Sequence, residues 1–256
     1  MNYKIYPLYC CDGSIIKSKL FYQGAPAEEV CPMQYSCFLL ESEDKEYMLI
    51  DSGYPFKKHI IDGGYEDIYP IRNNAVNSAE DLLAPYGVKP EEITKIFLTH
   101  LHYDHAWNLA DYPNAAIYVQ AAELHSAVTP PTMENERTRA YAINKRVLKD
   151  SWLLQLDRIV PIHSEGEIIP GISCLLTRGH TMGSQTIVVD TAKGRYAFPG
   201  DYAPSLDSIY QKIPTGMNVN IVAWLEDFPK VQKLLDEGVH FLSNHDPRTF
   251  HEKIYG

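Results

Sequence analysis

The sequence predicts an α+β fold in which two β-sheets are stacked face to face and covered by helices. Both halves of the chain contain short apolar runs followed by helix-like segments, and polar side chains follow several of these runs in each half. This repetition favours two similar layers over one doubly wound parallel sheet. With 256 residues, 45% of them hydrophobic, the chain can bury a large core as one domain spanning residues 1–256.

The first half of the chain is predicted to contain five strands. They cover residues 3–9, 35–40, 46–51, 93–98 and 116–119. The second and third strands are predicted to pair as a β-hairpin, because only a short charged segment separates them. Helical patterns occur at residues 79–87, 120–125 and 134–156, whereas residues 18–32 and 54–76 are predicted as loops.

The second half continues with five further apolar runs and one long amphipathic segment. The predicted strands cover residues 159–162, 172–177, 186–189, 195–198 and 239–242. Residues 222–235 have an apolar period near 3.6 and are predicted as a helix that Pro229 breaks or kinks.

One short segment carries a high density of metal-binding side chains. Directly after the apolar run that ends at Leu98, four potential ligands occur within six positions: His100, His102, Asp104 and His105. Imidazole and carboxylate groups on one loop suit zinc and its first-row neighbours. The segment therefore predicts a metal site after the fourth strand.

Further candidate ligands follow other predicted strands, where a rigid scaffold can position them. The candidate ligands can be divided between two metal sites. One site would consist of His100, His102 and His180, and the other of Asp104, His105 and His245. Asp201 would be the carboxylate that bridges the two sites. Two metals roughly 3.5–4 Å apart lower the pKa of a water held between them. Asp51 also follows a strand, but on composition alone it is read as a turn former.

Composition excludes several classes of partner. The net charge is −10 and there is no run of Lys and Arg, which argues against nucleic acid. No segment approaches the roughly 18 apolar residues of a membrane helix, and the N-terminus lacks the apolar core of a signal peptide. The five cysteines are odd in number and contain no Cys-x-x-Cys pair, so we expect them to be reduced. These observations predict a cytoplasmic protein that binds neither nucleic acid nor a membrane, and they leave both a monomer and a homodimer open.

The order of the motifs resembles the metallo-β-lactamase superfamily. The motifs are Thr99-His-Leu-His-Tyr-Asp-His105, Gly179-His180-Thr181, Gly200-Asp201 and Asn244-His245, and Asp51-Ser52-Gly53 matches that family's early acidic turn. The resemblance implies a four-layer αββα sandwich with two zinc ions at one edge, or other divalent first-row metals. It also implies that Asp51 supports the metal loop without binding metal.

Within the superfamily, the chain resembles most the N-acyl homoserine lactonases and their relatives that act on other lactones. Common two-zinc β-lactamases carry Cys where Asp201 stands, and flavodiiron proteins carry Glu where His102 stands. The length, the His-Leu-His-Tyr-Asp-His form and the helix before Asn244 fit the lactonases. One departure is Pro204, which occupies a position where several of those lactonases have Tyr.

The resemblance implies a lactone hydrolase in which a hydroxide between the two metals attacks the carbonyl carbon. Asp201 would bridge the metals, and Asp104 would carry a proton to the leaving alkoxide. Phe56, Trp107 and Tyr202 are candidates for the substrate pocket, because they lie close to ligands or on neighbouring loops.

Alternative functions use the same ligands. A thioesterase of the glyoxalase II type, or a hydrolase of another cyclic ester or amide, would share the whole set. An oxidoreductase that uses iron to bind O₂ or a persulfide is a further alternative from a different class. Metal storage is disfavoured, because an open bridging water suits catalysis better than storage.

Overall fold

The computed structural model of the chain describes residues 1–72, 74–128 and 152–256. Within these ranges the strands form a six-stranded and a five-stranded sheet. The first sheet contains, in spatial order, β1 (Tyr3–Ile16), β2 (Val30–Ser42), β3 (Tyr47–Ile50), β4 (Ile93–Phe97), β5 (Ala116–Gln120) and β6 (Ile159–Ile162). The second has the order β11-β10-β9-β8-β7, from β7 (Gly166–Ile169), β8 (Ile172–Leu176), β9 (Gln185–Thr191), β10 (Gly194–Phe198) and β11 (His240–Phe241).

The helices of the described ranges are short, apart from one. They are α1 (Lys17–Leu20), α2 (Lys57–Gly63), α3 (Ala79–Leu83), α4 (Tyr103–Ala106), α5 (Ala121–Val128), α6 (Leu206–Tyr210) and α7 (Ile221–Asp236). Single 3₁₀ turns or short 3₁₀ helices lie at Ala84–Tyr86, Pro90–Glu92, Asn108–Asp111, Trp152–Arg158, Gly200–Tyr202 and Pro247–Phe250. None of these described helices is long and apolar enough to cross a bilayer.

Strand direction brings the ends of distant segments to one edge. β3 and β4 are parallel, so the loops that follow them leave the first sheet at the same edge. In the second sheet β9 is antiparallel to both β8 and β10, so β8 and β10 run the same way, and β11 is parallel to β10. The loops after β8, β10 and β11 therefore also share one edge.

Three hydrophobic layers follow from the alternation of side chains along the strands. On β2, Phe38 and Leu40 point between the sheets and pack with Ile187 and Val189 of β9. Leu39 points to the opposite face, where the first sheet packs against helices α2 and α3. On the outer face of the second sheet, residues of β9 and β10 pack against α7. The predicted four-layer αββα sandwich is thus confirmed.

Element boundaries differ from the sequence prediction in several places. β1 extends to Ile16, and the predicted loop 18–32 contains the end of α1 and the start of β2. The predicted loop 54–76 contains α2, and β7 has no counterpart in the prediction. Helix α7 continues through Pro229, with Asn220 accepting the backbone N–H of Ala223 at its start. Most of the helix predicted at 134–156 lies outside the described residues, and the single-domain organisation stays a prediction.

Candidate metal centre

The seven side chains predicted as ligands lie together at the edge formed by these loops. They fall into two groups: His100, His102, His180 and Asp201 in the first, and Asp104, His105 and His245 in the second. Within each group the potential ligand atoms lie within 4.8 Å of one another. All except Asp104 are buried, and the Asp104 side chain is 11% exposed. Strand direction explains the cluster, because each loop follows a strand that ends at this edge.

Asp201 stands between the two groups. Its Oδ2 atom is 3.4 Å from Nε2 of His180, and its Oδ1 atom is 3.0 Å from Nε2 of His245. The same Oδ1 is 3.5 Å from Nε2 of His105. One carboxylate oxygen thus faces each group, which is the arrangement a bridging ligand needs.

Several polar atoms of this cluster are buried without a hydrogen-bond partner. They are Nε2 of His100, His105 and His245, and Oδ1 of Asp201. Buried polar atoms are almost always partnered, because an unpartnered one costs about 1–3 kcal/mol. Imidazole nitrogens and a carboxylate oxygen that converge on one volume form the donor set of zinc and neighbouring divalent metals. The residues present therefore fit such ions.

In four of the five histidines of the cluster, an oxygen atom anchors Nδ1. Nδ1 lies 2.8 Å from an acceptor in three cases, which are His105 to Asp51, His180 to the Met217 carbonyl and His245 to the Gln34 carbonyl. In the fourth, Nδ1 of His100 is 3.1 Å from the Thr99 hydroxyl. An Nδ1–H that donates to oxygen leaves Nε2 as the electron-pair donor and fixes the orientation of the ring.

Asp51 is the hub of this anchoring network. It is fully buried in a left-handed backbone conformation (φ 58°), and accepts hydrogen bonds from the Thr99 backbone and hydroxyl. It also accepts from His105 and from the Asn244 amide, so it joins loops of both sheets. Asp51 is therefore a buried acceptor that connects these loops, and not the simple turn former that composition alone suggests.

Gly200 allows the two sheets to meet at this point. It has a φ of +53°, and a Cβ there would lie 2.6 Å from the Thr99 Cβ. A side chain at this position would therefore push the Asp201 loop away from the loop after β4.

Glu123 on α5 is a positioning residue that the sequence analysis missed. Its carboxylate is buried and accepts from the Leu101 backbone N–H on one side. On the other side it accepts from the Thr181 hydroxyl at 2.7 Å and the Gly183 N–H at 3.0 Å. Glu123 thus ties the loop after β4 to the loop after β8. The only sequence signal was an acidic residue within a predicted helix, which gives no hint of burial.

The histidines differ in their electrostatic environment. Burial, together with neighbouring imidazoles, holds the pKa of His100 and His102 well below its usual value, so both rings are neutral at pH 7. Burial also opposes a charge on His105, but Asp51 and Asp201 outweigh it and raise its pKa well above the usual value. The carboxylates of Asp51 and Asp201 therefore favour a positive charge at the His105 ring.

A cavity of about 360 Å³ opens over the cluster. His102, Asp104 and Asp201 lie in its floor. Its wall consists of Ser14, Ile15, Lys19, Leu20, Met33, Tyr35, Arg72, Tyr103 and Met217. A larger cavity of about 630 Å³ elsewhere contains none of the seven ligand candidates, whereas the cavity over the cluster includes three of them.

The three residues predicted for the substrate pocket do not line this cavity. Phe56 is 1% exposed in the core, and the Trp107 ring packs edge-on against Tyr69 at 4.9 Å. Tyr202 is fully buried, stacks on Trp224 and donates its hydroxyl to the Trp224 carbonyl. Contact of these three side chains with a substrate stays a prediction that this geometry does not support.

The wall residues came from segments without a recognisable motif. Tyr35 lies on β2, Arg72 on the loop before α3, and Met217 on the loop before α7. The Tyr35 ring meets the His245 ring edge-on at 5.3 Å between centroids. Pro204 is buried, and its carbonyl accepts from the Ser243 hydroxyl, so the aromatic side chains beside the metal cluster come from elsewhere in the chain.

Comparison with known proteins places the chain in a family. A family model described as the metallo-beta-lactamase superfamily matches residues 32–236. The chain belongs to the metallo-β-lactamase superfamily. The resemblance predicted from the ordered motifs is confirmed.

Within the superfamily, the chain is similar to N-acyl homoserine lactonases. One from Bacillus cereus is 28% identical over 163 residues, which cover 61% of this chain but only 58% of that relative. N-acyl homoserine lactonase AttM of Rhizobium johnstonii is 25% identical over 255 residues, covering 95% of this chain and 94% of AttM. A solved N-acyl homoserine lactone hydrolase, with N-hexanoyl-L-homoserine at its catalytic metal center, has a TM-score of 0.75 at 20% identity and covers 98% of this chain and 96% of its own.

Proposed function

We propose that this member of the metallo-β-lactamase superfamily is a dinuclear metal hydrolase, with zinc as its expected metal, that opens the ester bond of a lactone. The observation that carries the proposal is the pair of ligand groups that share Asp201 at the base of one cavity. A carboxylate between two sets of nitrogen donors suits two metals rather than one.

The relatives support the substrate class. Those reported above are named for N-acyl homoserine lactones, and one solved neighbour holds an opened product at its metal center. We extend lactone hydrolysis to this chain because its ligand groups and cavity could serve such a reaction. A cytoplasmic location and a monomeric or homodimeric state stay predictions.

Two divalent ions at this site supply a water that is activated near neutral pH and a Lewis acid for the carbonyl oxygen. Within the protein, Asp201 connects the two ligand groups, because one of its carboxylate oxygens faces each group. The carbonyl and carboxylate acceptors behind the histidines fix the rings, so little reorganisation is needed during the reaction.

Asp104 is the best placed group for proton transfer. Its Oδ2 atom faces the second ligand group, 3.5 Å from Nε2 of His245. Asp104 also lies in the floor of the cavity, where its second carboxylate oxygen, Oδ1, can meet a substrate. We propose that Oδ1 takes a proton from the attacking water and passes it to the leaving alkoxide.

The test is a panel of lactones, thioesters and β-lactams assayed with protein reconstituted separately with zinc and, anaerobically, with iron. We expect the zinc form to open lactones at least about tenfold faster, as kcat/KM, than it cleaves the other classes. A preference for thioesters would assign the glyoxalase II-type reaction instead. Turnover by the iron form alone, coupled to O₂ consumption, would overturn the hydrolase proposal.

A further inference from the structure

The cavity over the metal cluster has two cationic side chains in its wall, Arg72 and Lys19. Among the described residues neither of them forms an ion pair, and the carboxylates that line the cavity are Asp104 and Asp201. The ion pairs of both carboxylates are with histidines of the metal cluster. Within the described ranges, the two cations of the wall therefore have no anionic partner.

The guanidinium of Arg72 is held by aromatic rings rather than by acids. Its central carbon lies 5.6 Å from the ring centroid of Tyr35 and 5.9 Å from that of Tyr54. Its side-chain hydrogen-bond contacts are with phenol groups, one with the Tyr35 hydroxyl at 3.5 Å from Nη2 and one with Tyr54. Among the described residues, its buried Nε atom has no partner. An arginine cannot shed its charge, so these donors remain available to an acceptor.

Arg72 lies close to the reaction centre but not in it. The Tyr35 ring contacts both groups, with 5.6 Å from its centroid to the guanidinium carbon and 5.3 Å between the Tyr35 and His245 centroids. A substrate whose ester sits over the metal cluster would reach Arg72 with a group some atoms away from that ester. The wall of the same cavity also includes the apolar side chains of Leu20 and Met33.

Resting on the proposed lactone hydrolysis, we propose that the substrate carries a carboxylate remote from its ester bond, and that Arg72 binds this carboxylate. A planar guanidinium with free donors pairs with a carboxylate through two parallel hydrogen bonds. An alkyl chain would instead desolvate the guanidinium further and leave Nε unpartnered. Lys19, at the exposed side of the wall, adds attraction for the anion that the net charge of −10 would otherwise oppose.

The test uses homoserine lactones acylated with succinate, glutarate or adipate, each compared with the same chain ending in a neutral carboxamide. The three acyl chains place the carboxylate at three different distances from the ester, so the preferred length reports the distance from the metal cluster to Arg72. For at least one length we expect the carboxylate to be opened about tenfold or more faster, as kcat/KM, than its carboxamide, with the difference mainly in KM. Arg72→Gln should remove this preference, and Arg72→Lys should retain part of it.

Two variants serve as controls. Arg195→Gln makes the same charge change at an exposed position paired with Glu237, so the preference should survive it. Lys19→Gln should lower the preference by only about two- to threefold, because an exposed charge acts through screened attraction. Metal content and circular dichroism of each variant establish that the fold and the metal cluster are intact.

A binding measurement separates this inference from the proposed function. γ-Lactam analogues of the same acyl series are titrated calorimetrically into metal-loaded protein, and tighter binding of the carboxylate form, lost in Arg72→Gln, supports the anion site whatever bond is cleaved. If no lactone is opened, the proposed function fails, and the lactam result alone decides the anion site. Equal kcat/KM and equal binding for carboxylate and carboxamide in the unmodified protein would overturn the inference.

Discussion

The metal cluster and the cavity wall above it adjoin each other, yet they are held in place in different ways. The ligand side chains follow strand ends, and four of the five histidines of the cluster have their Nδ1 atoms fixed by oxygen atoms, such as those of Asp51 and the Met217 carbonyl. The wall comes from the β1–β2 hairpin and from loops, and Arg72 there is held by contacts with the aromatic side chains of Tyr35 and Tyr54. A metal cluster that is fixed at strand ends can retain the same reaction when the loops around it differ, and those loops then determine which substrate is bound.

The largest expected effect on activity comes from a substitution in the metal cluster. Asp201→Asn replaces a charged carboxylate, which has two acceptor oxygens, by a neutral amide, which has one. We expect activity to fall by about a hundredfold or more, with loss of bound metal. Elemental analysis and kcat/KM measure both effects, and Asp62→Asn on the exposed face of α2 is the matched control. Near-normal turnover with full metal content would remove Asp201 from the ligand set.

A smaller effect is expected from the groups that support the cluster. Glu123→Ala leaves the buried N–H groups of Leu101 and Gly183 and the Thr181 hydroxyl without their acceptor. We expect the free energy of unfolding to fall by about 2–4 kcal/mol, and the metal affinity to fall by about 10–100-fold.

Denaturant unfolding and a competitive chelator titration measure these two changes for Glu123→Ala. The exposed Glu66→Ala serves as the control for loss of an acidic side chain. If Glu123→Ala lost stability without any change in metal affinity, Glu123 would be a packing residue and not a positioning residue for the ligand loops.

The smallest effect should come from a side chain that is near the cluster in sequence but not in the cavity. Tyr202→Phe removes a hydroxyl that donates to the Trp224 carbonyl inside the core. We expect a loss of about 1 kcal/mol in unfolding free energy and an unchanged KM for the best lactone. A severalfold rise in KM would return Tyr202 to the substrate pocket and weaken the distinction between cluster and wall.

The difference between the metal cluster and the cavity wall also explains which residues could be predicted from the sequence. Ligands such as His100 and Asp201 directly follow apolar runs, so periodicity places them at strand ends, and the order of their motifs is specific. Arg72, Tyr35 and Glu123 act through contacts between segments that are distant in the sequence, and no local pattern encodes such contacts. The side chain of Tyr202 points into the core because of the 3₁₀ turn at Gly200–Tyr202, whose direction the sequence does not reveal.

The central claim is that the seven clustered side chains hold two metal ions on either side of Asp201. Anomalous diffraction at the zinc edge, from crystals of zinc-loaded protein, tests it most directly. We predict two peaks about 3.5–4 Å apart, one beside His100, His102 and His180 and the other beside Asp104, His105 and His245. A single peak at full metal loading, or peaks away from Asp201, would contradict the account.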